Sequence, residues 1–102
     1  MWFNALVLTG KQRRFLRGLG HHLDPVVHVG KDGLTEGLVK ATDEALARHE
    51  LIKVRLGESA GADRHEVAEA LAQAVTGHLA GVIGRTLLIY RARETDPEIV
   101  LP

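Results

Sequence analysis

Cysteine is absent from the 102 residues of this sequence. Disulfide bonds, thiolate zinc sites and a thiol nucleophile are therefore excluded. No apolar run approaches the roughly 20 residues of a membrane-spanning helix. The apolar start Met1–Leu8 lacks the basic residues that open a signal peptide. Together these absences predict a protein of the reducing cytoplasm with no membrane partner.

The sequence also has no excess of either charge, because 13 lysines and arginines balance 13 acidic residues. This balance argues against a protein that coats nucleic acid through bulk charge. Any surface that binds phosphates must gather its cations on one side. Aromatic residues make up only 4%, and their spacing does not match the exposed sheet platform on which some RNA-binding modules stack bases.

Catalytic and metal-binding patterns are equally scarce. Ser59 is the only serine, and it lies in a glycine-rich predicted loop, Gly57–Gly61. As a nucleophile it would need His65 or another histidine within reach, and a flexible loop is a poor support for that geometry. No carboxylate stands in an apolar context that would raise its pKa. The six histidines show no spacing typical of metal ligands. We therefore expect no enzyme, no cofactor and no metal, and a hydrolase using Ser59 is kept only as an alternative.

The residues that are present, 45% of them hydrophobic, predict one α/β domain over 1–102. Its core spans about 8–92, and a tail of 93–102 either adds an edge strand or hangs free. Periodicity predicts the order α-β-α-β-α-β-β. The predicted helices are Thr9–Leu19, Leu34–His49 and one that follows an Asp63 cap and ends at a left-handed Gly77; the predicted strands are Val26–Val29, Leu51–Leu56, Leu79–Ile83 and Thr86–Ala92.

Three local patterns support this assignment. Thr9 and Gln12 have the spacing of a capping box, and Phe15, Leu16, Leu19 and Leu23 fall on one side of the first helix, which predicts that they face inward. Helices between successive strands imply parallel crossovers, while Gly84-Arg85 suits a hairpin, so the four-stranded sheet is mixed. Leu87–Tyr90 is apolar on both faces, which predicts a central strand.

The run from Val29 to Gly37 joins a predicted strand to a predicted helix. Within it Gly30, Lys31, Asp32 and Gly33 form a Gly-x-x-Gly motif. A helix N-terminus offers free N–H groups and partial positive charge, glycine allows close approach of another backbone, and Lys31 adds a cation. These features favour contact with phosphate. The alternative is a simple turn, which the repulsive carboxylates of Asp32 and Glu36 favour.

Basic residues recur at positions that the predicted elements bring to a surface. The candidate RNA-binding residues are the four motif residues Gly30, Lys31, Asp32 and Gly33 together with Lys11, Arg13, Arg14, Arg17, Lys53, Arg55, Arg85 and Arg91. His21 and His22 either contact RNA or cap the first helix. Acidic residues concentrate on the other two helices. The pattern predicts a dipolar molecule that binds phosphates through counterion release, and the alternative is an ordinary solvated surface.

Four motifs, in order along the chain, resemble those of one known family. They are L-T-G-K-Q-R-R-F-L-R at Leu8–Arg17, D-P-V-V-H-V-G-K-D-G-L-T-E at Asp24–Glu36, H-E-L-I-K-V at His49–Val54 and V-I-G-R-T-L-L-I-Y-R at Val82–Arg91. Together they cover almost the whole chain. The sequence thus resembles the CRM-domain RNA-binding proteins, in the stand-alone YhbY-like form found in bacteria.

The resemblance implies a fold similar to the C-terminal domain of translation initiation factor three and no enzymatic activity. It also implies a role in ribosome biogenesis, with ribosomal RNA of the large-subunit precursor as partner and the Gly30–Gly33 loop as an RNA clamp. This chain departs from many relatives in being neutral. That neutrality favours the alternative of a protein-interaction adaptor that binds ribosomal proteins and has weak RNA affinity.

Overall fold

The computed structural model describes residues 8–57 and 63–102, which form one α/β domain with a mixed sheet. This confirms the predicted fold class. Residues 1–7 of the apolar start, and residues 58–62 of the loop that contains Ser59, lie outside the described residues. The elements are α1 (Gly10–Gly20), β1 (Pro25–Val29), α2 (Glu36–His49), β2 (Leu51–Leu56), α3 (Arg64–Ala74), β3 (His78–Ile83) and β4 (Thr86–Tyr90).

The sheet has the strand order β1-β2-β4-β3. Strands β1 and β2 are parallel, as a helical crossover between them requires, and the other two pairs are antiparallel. Strand β4 therefore has a neighbour on each side, and four of its five residues are buried. The prediction of a central strand at Leu87–Tyr90 is confirmed.

Helices cover both faces of the sheet and create two apolar clusters. The larger cluster lies between the sheet and helices α2 and α3; among its fully buried members are Leu46, Ile52, Val54, Leu71, Leu87 and Ile89. The smaller cluster lies between the sheet and α1, and includes Leu16, Leu51, Ala80 and Leu88. Alternation along β2 explains the division, since Ile52, Val54 and Leu56 point to one face and Leu51, Lys53 and Arg55 to the other.

Helix α1 has the predicted capping box, in which the Thr9 hydroxyl accepts from Gln12 N and the Gln12 side chain accepts from Thr9 N. Its buried face differs from the prediction. Leu16 is fully buried, but Phe15 and Leu19 are each 40% exposed. The cause is Gly20, whose missing Cβ would stand 2.7 Å from a Leu88 methyl. The helix thus docks through Leu16 and Gly20, and its apolar flank stays open.

Two helix ends also differ from prediction. Helix α2 begins at Glu36, because the Thr35 side chain accepts from Leu38 N and acts as the N-cap. At the end of α3 the left-handed residue is Thr76 (φ 54°), not Gly77. Gly77 N donates to Ala72 O. Ile89 packs directly against Gly77, because a Cβ at this position would stand only 2.9 Å from Ile89 Cγ2. Gly77 is therefore required for packing, and not for a positive φ.

The C-terminal tail is held by a buried carboxylate. Glu50, 1% exposed, accepts hydrogen bonds from the backbone N–H groups of Arg93, Glu98 and Ile99 at 2.8–2.9 Å. Ile99 and Leu101 then pack against the smaller cluster. The tail thus covers the sheet beside α1 and, in the described part of the chain, adds no strand. No helix of the described ranges is long and apolar enough to cross a membrane.

Candidate nucleic-acid interface

One edge of the sheet brings together two turns and the residue that follows β2, which are far apart in sequence. Gly57, just after β2, donates its N–H to Val29 O at the end of β1. Leu56 N donates to Arg85 O in the β3–β4 turn at 2.7 Å. The Gly30–Gly33 turn starts directly after Val29. This motif and the Arg85 hairpin tip are consequently neighbours along one edge, which we call the turn edge.

The Gly30–Gly33 segment is an open, hydrogen-bonded turn. Gly33 N donates to Gly30 O at 3.0 Å, and Gly33 adopts φ 68°, a conformation that favours glycine. A Cβ at Gly30 would meet nothing within 4 Å, and Lys31 and Asp32 are exposed at the apex. Leu34 and Thr35 separate the turn from α2, so the helix dipole, which acts within the first turn, contributes less than predicted.

Helix α1 contributes cations of two kinds. Lys11 and Arg14 are exposed. Arg13 and Arg17 are half-buried and anchored, since Arg13 Nη1 donates to Leu8 O at 2.6 Å and Arg17 Nη1 reaches Ala80 O at 3.5 Å. The stem of Arg17 also lies on Gly81, where a Cβ would be 2.9 Å from Arg17 Cδ. Anchored guanidinium groups lose less entropy when they bind an anion.

The open part of the sheet connects α1 to the turn edge. A row of paired residues crosses all four strands beyond the end of the helix: His28, Arg55, Thr86 and Ile83. Lys53 lies one step further in on the same face, opposite Leu88. The exposed row, Lys53, three cations of α1 and the turn edge form one side of the molecule, which we call the basic face. Its cations are Lys11, Arg14, Arg17, Lys53, Arg55, Lys31 and Arg85. Arg13 lies apart from them, at the far end of β3, where it lines a pocket together with Glu69 of α3 and His78.

Arg91 lies away from this face, at the opposite end of β4. Its guanidinium donates to the Asp43 carboxylate at 2.6 Å and to Val75 O at 2.7 Å. Arg93 is similarly engaged, with Glu98 and with Arg48 O. Both side chains tie the end of the sheet to the helices and the tail. The structure thus gives Arg91 a packing role and does not bring it near the other candidate residues.

Acidic residues lie mainly on the other side of the sheet. Helix α1 has none, whereas α2 and α3 with their caps expose Glu36, Asp43, Glu44, Asp63, Glu66 and Glu69. These two helices also carry Lys40, Arg48 and Arg64, so their side is mixed in charge. The neutral total therefore conceals an uneven distribution, with cations in excess on the basic face.

Three groups with shifted pKa values, Glu50, His78 and Tyr90, lie at the end of the sheet opposite the turn edge. Burial alone would raise the pKa of Glu50, but three backbone N–H donors and the Arg93 charge outweigh it and leave that pKa lowered. Burial lowers the pKa of His78, and burial together with the Glu50 charge raises that of Tyr90. These groups surround the tail anchor. The described residues contain no cluster that could hold a metal ion.

Three residues of the basic face escaped the sequence reasoning: His28, Ile83 and Thr86. Ile83 and Thr86 flank Gly84-Arg85, and residues that flank a two-residue turn face each other across a hairpin. Their pairing could thus have been predicted, but their exposure depends on where α1 ends. His21, considered as an RNA contact or a cap, is the C-cap of α1 through its backbone N–H and lies beside Lys53.

Comparison with known proteins agrees with this architecture. The family model of the CRS1/YhbY (CRM) domain matches residues 8–91. Probable RNA-binding protein YqeI of Bacillus subtilis is 42% identical over 96 residues, covering 94% of this chain and 100% of that protein. An RNA-binding protein of Haemophilus influenzae is 43% identical, covering 93% and 95%.

A solved structure shows the same fold. The solution structure of the hypothetical protein SAV1595 from Staphylococcus aureus matches with a TM-score of 0.82 at 43% identity, covering 94% of this chain and all of that one. A single α/β domain, three helices and a mixed four-stranded sheet define the class. This chain belongs to the CRS1/YhbY (CRM) domain family, as its four motifs indicated.

Proposed function

We propose that this protein is a non-catalytic RNA-binding protein that binds ribosomal RNA while the large ribosomal subunit is assembled in the cytoplasm. The observation that carries the proposal is the continuity of the basic face. Arg17 and the exposed cations of α1, the cations on the open sheet and the exposed Gly30–Gly33 turn lie on one side of a neutral molecule. The names of its relatives, which describe RNA-binding proteins, support the same class of ligand.

The proposed contacts divide by chemistry. Lys11, Arg14 and Arg17 bind phosphates along α1, while Arg55 and Arg85 extend the contact toward the turn edge. At that edge the open Gly30–Gly33 turn lets a sugar-phosphate backbone approach, and Lys31 supplies charge at its apex. Asp32 limits the affinity there. Arg91 is left out of the proposed interface because its guanidinium is already occupied by Asp43 and Val75 O.

A charge reversal in the turn tests the proposal. Lys31→Glu is expected to weaken binding to large-subunit ribosomal RNA and to lower the salt slope of log K by about 0.7–0.9, the range for one lost phosphate contact on single- or double-stranded nucleic acid. The measurement is fluorescence anisotropy of a labelled RNA fragment at several salt concentrations.

The matched control is Lys40→Glu. Lys40 is also exposed, but it lies on α2 behind the sheet, so the same change of net charge is expected to leave affinity and slope close to wild type. If both variants and the wild type bind with one affinity and one slope, the Gly30–Gly33 turn takes no part in RNA binding.

A second candidate, an adaptor that binds ribosomal proteins, is favoured by the neutral total charge and by the mixed surface of α2 and α3. The same labelled RNA distinguishes the two. Binding by the purified protein alone supports the RNA-binding function, whereas binding that requires an added ribosomal protein supports the adaptor.

A further inference from the structure

A small cleft opens in the middle of the basic face, between the end of α1 and the sheet. Its volume is about 130 Å³, and its walls are Arg17, Gly20, His21, Lys53, Ile83, Thr86 and Leu88. We propose that this cleft receives one unpaired base of the bound RNA, an inference that rests on the proposed function. The protein would then bind RNA that has a bulged or unstacked nucleotide in preference to a continuous duplex.

The size of the cleft limits what it can hold. Sites for free small molecules usually have about 300–1,000 Å³, so a complete nucleotide or cofactor is too large. One planar base fits the cleft when its sugar and phosphate remain outside. The occupant is therefore a part of a polymer that the surrounding face already binds.

The chemistry of the walls matches a base attached to a phosphate. Leu88 forms an apolar floor, since the missing Cβ of Gly20 lets it approach the helix, and Ile83 adds an apolar rim that is 54% exposed. Lys53 and the anchored Arg17 provide positive charge, and His21 and Thr86 provide hydrogen-bonding groups. Within the described ranges no acidic residue lines the cleft.

The position of the cleft allows binding to the backbone on both sides of it. Arg17 continues along α1 toward Arg14, whereas Thr86 pairs with Arg55 in the row that reaches the turn edge. An RNA strand crossing the face from α1 to the Gly30–Gly33 turn thus passes over the cleft. A regular duplex keeps its bases stacked inside, so only an unpaired base can enter.

Two hairpin RNAs test the proposal, one with a fully paired stem and one with a single unpaired nucleotide in the same stem. The wild type is expected to prefer the bulged RNA by about fivefold, the lower end of what one base contact contributes. Ile83→Ser is expected to lower the affinity for the bulged RNA more than that for the paired RNA and so to abolish this preference, because the substitution removes apolar surface and no charge.

Val26→Ser is the matched control, since Val26 is 50% exposed and lies on the opposite edge strand, outside the cleft. It is expected to keep the preference. A second measurement places 2-aminopurine at the unpaired position. Its fluorescence is expected to change when the wild type or Val26→Ser binds, and to remain constant with Ile83→Ser. Circular dichroism checks that each variant is folded.

The outcomes separate the two proposals. Equal, measurable affinity of the wild type for both RNAs would overturn the role of the cleft and leave the RNA-binding function standing. Failure to bind either RNA would overturn both. Equal loss of preference in Ile83→Ser and Val26→Ser would place the base elsewhere on the sheet. An acidic peptide that binds the wild type and not Ile83→Ser, without any preference among RNAs, would assign the cleft to a protein ligand.

Discussion

Glu50 shows how much one residue can determine in a small domain. Its carboxylate is buried, yet three backbone donors satisfy it, so the cost of burying a charge is offset. Its backbone has φ 59°, a region that non-glycine residues rarely adopt. Glu50 connects the end of α2, the sheet and the tail, which makes it an anchor for the tail and places it outside the proposed RNA interface.

Removing the charge of this anchor should destabilise the protein. Glu50→Gln replaces one acceptor oxygen with an NH2 group that faces backbone donors, so we expect a loss of roughly 2–3 kcal/mol in the free energy of unfolding. Urea denaturation measures it. The matched control is Glu44→Gln on the exposed side of α2, for which a change within about 0.5 kcal/mol is expected. Equal effects of the two substitutions would contradict the anchoring role.

Sequence reasoning could not predict this role from Glu50 itself. The partner N–H groups lie 43 to 49 residues further along the chain, and no local pattern connects a helix end with a distant polar tail. The residue was visible only as part of the H-E-L-I-K-V motif. Family motifs thus marked the position, while its physical reason required the tertiary structure.

At the scale of elements, the two glycines near the end of α1 separate helix propensity from packing. At Gly18 a Cβ would meet nothing within 4 Å, whereas at Gly20 it would stand 2.7 and 2.8 Å from the methyls of Leu88. Gly18→Ala is therefore expected to stabilise the protein by about 0.5–1 kcal/mol. Gly20→Ala is expected to destabilise it by about 1–3 kcal/mol through overpacking.

Thermal or urea denaturation of this pair makes the comparison within a single helix. Both substitutions add the same methyl group. A difference between their changes in the free energy of unfolding therefore reports how tightly α1 docks on the sheet. Stabilisation by both substitutions would mean that Leu88 moves aside without cost and that the helix is less tightly docked than its geometry indicates.

Element order and sheet type could be predicted because they follow from short-range patterns. Alternation in Leu51–Leu56, the capping box at Thr9 and the two-residue turn before Thr86 are each encoded within a few residues. The errors came from longer-range packing. Phe15 and Leu19 are periodic with Leu16, but Gly20 sets the angle of docking, and Thr76 takes the left-handed position since Gly77 is needed beneath Ile89.

At the scale of the whole molecule, two groups with lowered pKa values contribute to the response to acid. The pKa of Glu50 lies below 4.5 in the folded state, so its contribution to stability is complete above pH 4.5 and is lost as pH falls through the folded value. The pKa of His78 is lowered from 6.5 by burial, so its contribution is likewise lost as pH falls below 6.5. Both effects therefore destabilise the folded state in acid.

We accordingly expect the free energy of unfolding to decrease on acidification, gently below pH 6.5 and more steeply below pH 4.5. Glu50→Gln is expected to lack the steeper part, and His78→Gln the gentler one. Urea denaturation at a series of pH values measures both. An unchanged profile in Glu50→Gln would show that other carboxylates, and not the tail anchor, control the acid transition.

The charge distribution also belongs to the whole molecule. The sequence predicted a basic first helix and acidic second and third helices, and the structure places them on opposite sides of the sheet. The sequence could not predict that Arg91 forms an ion pair with Asp43 while Arg85 remains exposed. Both arginines flank β4, and only the positions of α2 and the turn edge distinguish them.

The Glu50 anchor has a consequence for the order of folding. Its three backbone donors lie 43 to 49 residues further along the chain, so the carboxylate gains them only when the tail folds back over the assembled sheet. Until then the buried carboxylate has no backbone donors, and the apolar surface under Ile99 and Leu101 is uncovered. Docking of the tail is therefore expected to be a late step in folding, one that follows the pairing of the strands.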